Sequence, residues 1–146
     1  MQYDPIKRGL GNVFNRNPFL RKLFYRLLDL LLLRSWHIRK ELRKARKQLG
    51  EKGEILDAGS GFGQYTWFMS GLFKGWKIKG VDVKEEQMTD CNEFFAKTGR
   101  GRNVHFEVAD LTKHRDESRY KLILCVDVME HILEDVEVFR NFAFCL

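Results

Sequence analysis

The sequence predicts an α/β fold, a doubly wound and mostly parallel sheet preceded by helices. Three observations carry that expectation. The stretch Glu54–Tyr65 reads EILDAGSGFGQY, a short apolar strand that runs into a glycine-rich turn and then into the helix-like run Thr66–Phe73. Downstream, short strand-like segments alternate with segments of helical period. Finally, Tyr120–Val126 (YKLILCV) is a continuous apolar run, as expected of a strand buried on both faces of a parallel sheet.

Length and composition bound the answer. With 146 residues the chain suits one domain with a single core, and its 44% apolar and 32% charged residues are ordinary for a globular protein. Cys91, Cys125 and Cys145 are odd in number and lack C-x-x-C spacing, which supports neither a disulfide framework nor a zinc site; they are expected to be reduced thiols in a cytoplasmic protein. The net charge of +6 is unevenly spread: residues 1–50 carry thirteen Lys/Arg against three Asp/Glu, and residues 51–146 carry thirteen against seventeen. The opening MQYDPIKRGLGN has no apolar signal-peptide core. Leu30–Leu33, between Asp29 and Arg34, is far too short to span a bilayer, which needs about 20 residues.

Residues 1–17, with Gly9, Gly11 and three asparagines, are expected to form a flexible tail. Basic helices are expected over 18–50. Asn17 can cap a helix whose first position is Pro18, where a missing N–H costs least, and apolar residues recur at 19, 20, 23, 24, 27, 28, 31 and 32. A second helix, Trp36–Leu49, sets Trp36, Ile38, Leu42, Ala45 and Leu49 among six Lys/Arg and stops at Gly50. This arm could meet acidic headgroups or nucleic acid phosphates, or its Leu/Phe face could pack on the sheet or lid the site with lysines in water. The last is preferred, because the charges spread around the second helix and no aromatic residues interleave to stack bases. No specific nucleic acid partner is therefore expected, and any contact with a membrane surface is expected to be weak and screened by salt.

The glycine loop discriminates between ligands. A dinucleotide fingerprint G-x-G-x-x-G would need glycine at 64, where Gln64 stands, and a pyrophosphate disfavours the carboxylate of Asp57 at the root of the loop. That carboxylate suits a cation. The pattern D-x-G-x-G-x-G, here DAGSGFG over 57–63, resembles motif I of the class I (Rossmann-like) S-adenosylmethionine-dependent methyltransferases, of the small-molecule type. The resemblance covers residues 53–142 and is weak over 18–50. It implies S-adenosyl-L-methionine as cofactor, strand order 3-2-1-4 with the crevice between strands one and four, and cofactor contacts from Asp57, Ala58, Gly59, Gly61, Gly63 and Tyr65.

The remaining elements follow in order. After a helix Gln64–Phe73 closed by Gly75, Trp76–Val83 is expected as the second strand. Asp82, 25 residues beyond Asp57, stands at its tip to accept both ribose hydroxyls, with Val83 beside it; the alternative is a solvent-facing turn carboxylate. Met88, in the helix Glu85–Lys97, is either an adenine contact or a core methionine. Val104–Val108 (VHFEV) alternates as a third strand and ends in Ala109-Asp110-Leu111, where the resemblance implies that Asp110 binds the adenine amino group and Leu111 lines the ring. The loop 112–119 is charged and without period. DVMEHI (127–132) resembles the segment that follows strand four in these enzymes, with the backbone of Cys125 and Val126 facing the methionine half. Asp127 and Glu130 alternatively form a D-x-x-E capping box. His131 is the general-base candidate, the alternative being a hydrogen-bonded scaffold histidine. Asp135 is expected to cap the last helix, Val136–Leu146.

Enzymes of this resemblance continue through a Leu-x-Pro-Gly-Gly turn into further strands, so the domain over 51–146 is expected to be partial, with its C-terminal strands missing. Strand four would then be an open edge inviting self-association. A small-molecule substrate is expected, because no N/D-P-P-Y/F motif follows strand four; whether O, N or C is methylated is not legible. A non-catalytic cofactor-binding module or inactive fragment is the alternative. An NAD(P)-dependent oxidoreductase is disfavoured by Gln64 and Asp57.

Overall fold

The computed structural model describes residues 17–31 and 33–146, so the tail expected over 1–17 lies, Asn17 apart, outside the described residues. The chain forms two compact units that divide between Glu41 and Leu42.

The first unit holds α1 (Pro18–Leu31) and the start of α2 (Leu33–Gln48). Asn17 caps α1 as its sequence position predicts, its Oδ1 accepting the Phe19 N–H at 2.9 Å while Pro18 occupies the position with no N–H to satisfy. The start of α2 is pinned to α1 at Asp29, which pairs with Arg39 through its carboxylate and accepts the Trp36 indole N–H on its carbonyl at 2.7 Å. The apolar face expected to be covered is in part bare: Phe19, Leu23 and Leu27 are exposed. Periodicity locates an apolar stripe but does not say what lies against it.

The second unit contains β1 (Glu54–Ala58), α3 (Gln64–Leu72), β2 (Lys77–Asp82), α4 (Glu85–Lys97), β3 (Val104–Val108), β4 (Leu122–Cys125), a 3-10 turn (Met129–His131) and α5 (Asp135–Cys145). The strands form one parallel sheet in the order β3-β2-β1-β4, as predicted. Because the connections return each strand in the same direction, all four carboxyl ends share one edge.

Both faces of the sheet are covered. One core joins Leu56, Ala58 and Val81 to Leu111, Tyr120, Val138 and Cys145 of the following loops and α5. Another is aromatic: Phe95 packs on Phe106 and Phe94, and Phe73 on Trp76, at centroid separations of 5.0–5.4 Å. Asn92 ties α4 to β3 by accepting the Phe106 N–H at 2.9 Å and donating to its carbonyl at 2.7 Å.

The charged loop 112–119 gains its order from distant partners. Lys79 of β2 donates to Glu107 and Asp116, each at 3.0 Å, and the Tyr120 hydroxyl also donates to Asp116. Burial alone would raise the Asp116 carboxyl, but the Tyr120 and Lys79 hydrogen bonds hold it below its ordinary value. The chain then returns under α5, whose Phe144 and Cys145 carbonyls accept the N–H groups of Ser118, Arg119 and Tyr120 at 2.9–3.0 Å. Those bonds replace the strand ladder expected at Tyr120, and β4 spans four residues, Leu122–Cys125, of the seven expected. Asp135 is not the N-cap of α5. Glu134 holds that position, and Asp135 is the first helical residue, its carboxylate accepting the Val136 N–H at 2.7 Å. Among the described residues β4 pairs only with β1 and is a sheet edge.

Gly80 lies in mid-strand against Phe106, and a Cβ there would sit 2.4 Å from that ring. The ring is braced by Phe95 and its backbone by Asn92, so it has little room to move. Gly80→Ala is expected to cost about 1–3 kcal/mol from overpacking. Urea melts measure this, and an unchanged midpoint would show that the aromatic layer yields freely.

Candidate functional site at the carboxyl edge of the sheet

Ala58 is in register with Val81 on one side and Cys125 on the other, and Asp82 with Val108. That register sets the glycine loop, Asp82–Val83, Ala109–Asp110 and Val126–Asp127 along one edge. The loop is folded by a single carbonyl: Val81 O accepts the N–H groups of Gly59 and Ser60 at 2.8 and 2.9 Å, turning the chain sharply across the end of β2. Gly63 N–H closes the turn on Ser60 O at 2.8 Å, and Gly63 is then the N-cap of α3.

All three loop glycines have positive φ, 77°, 51° and 77° at Gly59, Gly61 and Gly63, but they differ in what a side chain would meet. At Gly59 a Cβ would lie 2.1 Å from Val128 Cγ2, so this glycine lets the post-β4 turn pack on the loop. At Gly63 it would press on Phe106 and Phe95 at 3.3 Å. At Gly61 it would meet nothing within 4 Å. Only Gly61, among the three, has its bare side open.

Asp82 meets that glycine. Its Oδ2 accepts the Gly61 N–H at 3.1 Å and its Oδ1 the Lys84 N–H at 3.3 Å. A carboxylate accepts about four hydrogen bonds, so acceptor sites remain for a ligand hydroxyl pair. Val83, beside it, is exposed.

Asp57 is placed differently from the open cation seat its position suggests. It is buried, and Thr66 of α3 donates to its Oδ2. Burial pushes its carboxyl up to about 6, against the lowering effect of the Thr66 hydrogen bonds, and the charge of Asp82 pushes the same way. Burial, with Asp57 and Glu130 nearby, raises the Cys125 thiol to about 11, so it stays protonated at neutral pH.

Asp110 is exposed and closes its own turn, its Oδ1 accepting the Thr112 N–H and hydroxyl at 2.9 and 2.7 Å. Leu111 turns the other way, its side chain in the core. Met88 is likewise buried, its sulfur 3.9 Å from the Ser60 hydroxyl, so it underpins the loop as a core methionine. Tyr65 and Val126 are half-buried. The Asp127–Glu130 capping box does not form: Asp127 has φ 56° and Val128 is the N-cap of the 3-10 turn, with no side-chain cap. His131 ends that turn and is exposed, its backbone N–H donating to Val128 O at 2.9 Å.

Three supporting residues have no motif to announce them. Thr66 holds Asp57. Val128 fills the space at Gly59. Asn141, buried in α5, donates to the carbonyls of Leu111 and Thr112 at 3.0 and 2.9 Å and so fixes the turn carrying Asp110. Its one sequence signal is an amide within the apolar run VFRNFAF.

The profile of a family described as a methyltransferase domain matches residues 55–146, from β1 to the end of α5. The chain belongs to this methyltransferase domain family. Among curated relatives, (S)-coclaurine N-methyltransferase of Papaver somniferum is 32% identical over 92 residues, covering 63% of this chain and 26% of that protein. The chain thus spans about a quarter of that relative's length. The solved structure of coclaurine N-methyltransferase bound to N-methylheliamine and SAH is similar at TM-score 0.64 with 24% identity, over 73% of this chain and 30% of that one. The [4+2]-cyclase SpnF is similar at TM-score 0.67 with 17% identity, over 75% and 40% of the two chains. These likenesses show that this methyltransferase domain shares their fold, and the cyclase illustrates that the fold alone does not fix a reaction.

Two outcomes follow from the loop of this methyltransferase domain. Gly59→Ala is expected to lose about 1–3 kcal/mol by overpacking Val128 on top of about 1–2 kcal/mol of left-handed strain, and Gly61→Ala only the latter. Equal losses in denaturant melts would mean that Val128 moves aside. For Asp57, a carboxyl raised to about 6 from 3.8 binds its proton more tightly folded than unfolded. Its contribution to stability is then fully present below about pH 4 and lost as pH rises through about 6, roughly 3 kcal/mol in all. Wild type minus Asp57→Asn, followed from pH 4 to 7, should fall in that sense, and a pH-independent difference would contradict the burial assigned to Asp57.

Proposed function

We propose that the carboxyl edge of the sheet holds S-adenosylmethionine and that the chain serves methyl transfer to a small-molecule amine. The open space beside Gly61, whose N–H is held by the Asp82 carboxylate, carries the proposal, because among the three loop glycines only this one leaves its bare side clear for a ligand. The amine is favoured over an oxygen or carbon nucleophile because curated relatives are named as N-methyltransferases.

The bound cofactor would supply a methyl group already activated by its sulfonium charge. The protein's part is mainly placement, which for well-oriented reactants is worth up to roughly 7–11 kcal/mol. Asp82 offers its remaining lone pairs to the ribose hydroxyls, and Asp110 offers Oδ2 to the adenine amino group. Gly59–Gly63, Ala58, Tyr65 and the backbone of Cys125 and Val126 border the methionine half. The buried charge of Asp57 favours a cation at the root of the loop, where a pyrophosphate would be repelled. Cys125, held as a neutral thiol, does not compete for the methyl group. His131, exposed at the same edge, is the residue proposed to take the proton from the amine.

Three finer features belong to the same proposal. The free edge of β4 pairs with a second copy at high concentration. The basic N-terminal helices touch anionic membrane surfaces. The three cysteines are free, which suits a reducing compartment such as the cytoplasm.

Calorimetric titration with S-adenosylmethionine, S-adenosylhomocysteine and NAD tests the cofactor. Binding of the first two without NAD is expected, with affinity lost in a folded Gly61→Val and weakened at least tenfold in Asp82→Ala, since each hydrogen bond to a charged acceptor is worth about 1.5–3 kcal/mol. NAD binding, or no binding of either adenosyl ligand, would overturn the assignment. A labelled-methyl assay on secondary amines then separates an enzyme, whose turnover falls in His131→Gln with binding intact, from a module that binds and does not react.

A further inference from the structure

The exposed side of the first unit does not look like scattered surface charge. Phe19, Leu23, Leu27 and Leu30 recur at i, i+4, i+8 and i+11 of α1 and are 71, 51, 47 and 72% exposed. They fall within about 80° of one another around a helix that turns about 100° per residue. Arg21 and Tyr25, on the opposite side, are buried, the Arg21 Nε donating to the Tyr25 hydroxyl at 3.0 Å. The apolar side is therefore the exposed one. The start of α2 adds two more large groups, Leu33 at 78% and Trp36 at 60% exposed. Trp36 is fixed by its indole N–H on Asp29 O, a polar edge anchored while the ring stays open.

Cations border this stripe. Lys22 and Arg26 lie along its flank on α1, and Arg34 and Lys40 stand beside Leu33 and Trp36; all four are exposed. Acidic side chains are few, with only Asp29 and Glu41 between Pro18 and Glu41, and Asp29 is engaged by Arg39. No described helix is long and apolar enough to cross a membrane. Large apolar side chains on one face, a bordering row of Lys/Arg and insufficient length to span are the attributes of a helix lying in a lipid interface. We infer that α1 and the start of α2 form an interfacial anchor whose Phe19–Leu23–Leu27–Leu30–Leu33–Trp36 stripe inserts among the acyl chains of an anionic bilayer surface while the flanking cations meet its headgroups.

This deepens the membrane contact proposed above and changes its character. Contact through charge alone is screened at physiological salt, whereas insertion of apolar side chains is not. The complete chain is sedimented with phosphatidylcholine vesicles with and without phosphatidylserine, at low salt and at 150 mM NaCl, beside Leu23→Gln/Leu27→Gln/Leu30→Gln, whose sites are exposed. Binding to the anionic vesicles is expected to persist at 150 mM NaCl, with a blue shift of tryptophan emission that Trp36→Phe removes. In the triple variant, binding should fall at least tenfold while its thermal melt is unchanged. Binding that vanishes at 150 mM NaCl and ignores the triple substitution would leave a surface contact and overturn insertion. Absence of binding to any vesicle overturns both. A dimer that the triple variant converts to monomer, without vesicle binding, would assign the stripe to a second copy and also overturn the inference. None of these outcomes bears on cofactor binding, which the titration above tests separately.

Discussion

The site rests on one carbonyl. Val81 O, at the end of the strand next to β1, accepts two successive amides, and this double acceptance folds the chain back as it leaves β1. A left-handed φ at Gly59 is the cost of the turn, and the absence of a side chain there admits Val128 of the turn that follows β4, the strand beside β1. Once the turn is made, Gly61 N–H points at Asp82 and the bare side of Gly61 is left open. Geometry fixed by strand pairing thereby leaves an open glycine whose N–H is held by one carboxylate.

Electrostatics favours the proposed ligand at this edge. Asp57 and Asp82 sit at the ends of neighbouring strands, and the charge of Asp82 adds to burial in raising the Asp57 carboxyl. Without a cation the buried member holds its proton up to about pH 6. A positively charged ligand relieves the strain between the carboxylates, and an anionic phosphate adds to it. The same pair explains why a glycine loop in a doubly wound sheet need not be a dinucleotide site.

How much of this was legible in the sequence depended on the range of the interaction. The element order and the strand order followed from local signals: glycines at every second position after Asp57, apolar strand runs, and Asn17-Pro18 opening a helix. Asp82 was placed correctly at a strand tip for the same reason. What failed to show was long-range. Nothing near Gly59 tells that its α-hydrogen faces Val128, sixty-nine residues on. The charges of loop 112–119 have no period because partners such as Lys79 for Asp116 and Glu54 for Arg119 lie in the sheet. The D-x-x-E spacing at Asp127 satisfies the pattern of a capping box, yet Asp127 takes a left-handed φ and Val128 is the N-cap of the turn. Met88 and Leu111 sit at positions suited to a ligand, but burial directs both side chains inward. In α1 the apolar period was plain, while the side left uncovered was visible only in three dimensions.

The central proposal is that the carboxyl edge of the sheet holds an adenosyl ligand. Amide chemical-shift mapping of the labelled chain on addition of S-adenosylhomocysteine tests it most directly. Perturbations are predicted at Gly59–Gly63, at Asp82–Lys84 including the Gly61 N–H that Asp82 now holds, at Asp110–Leu111 and at Cys125–Val126, with Lys77, Val104 and Leu122 at the opposite edge unmoved. Perturbations confined to that opposite edge, or none at saturating ligand, would contradict it.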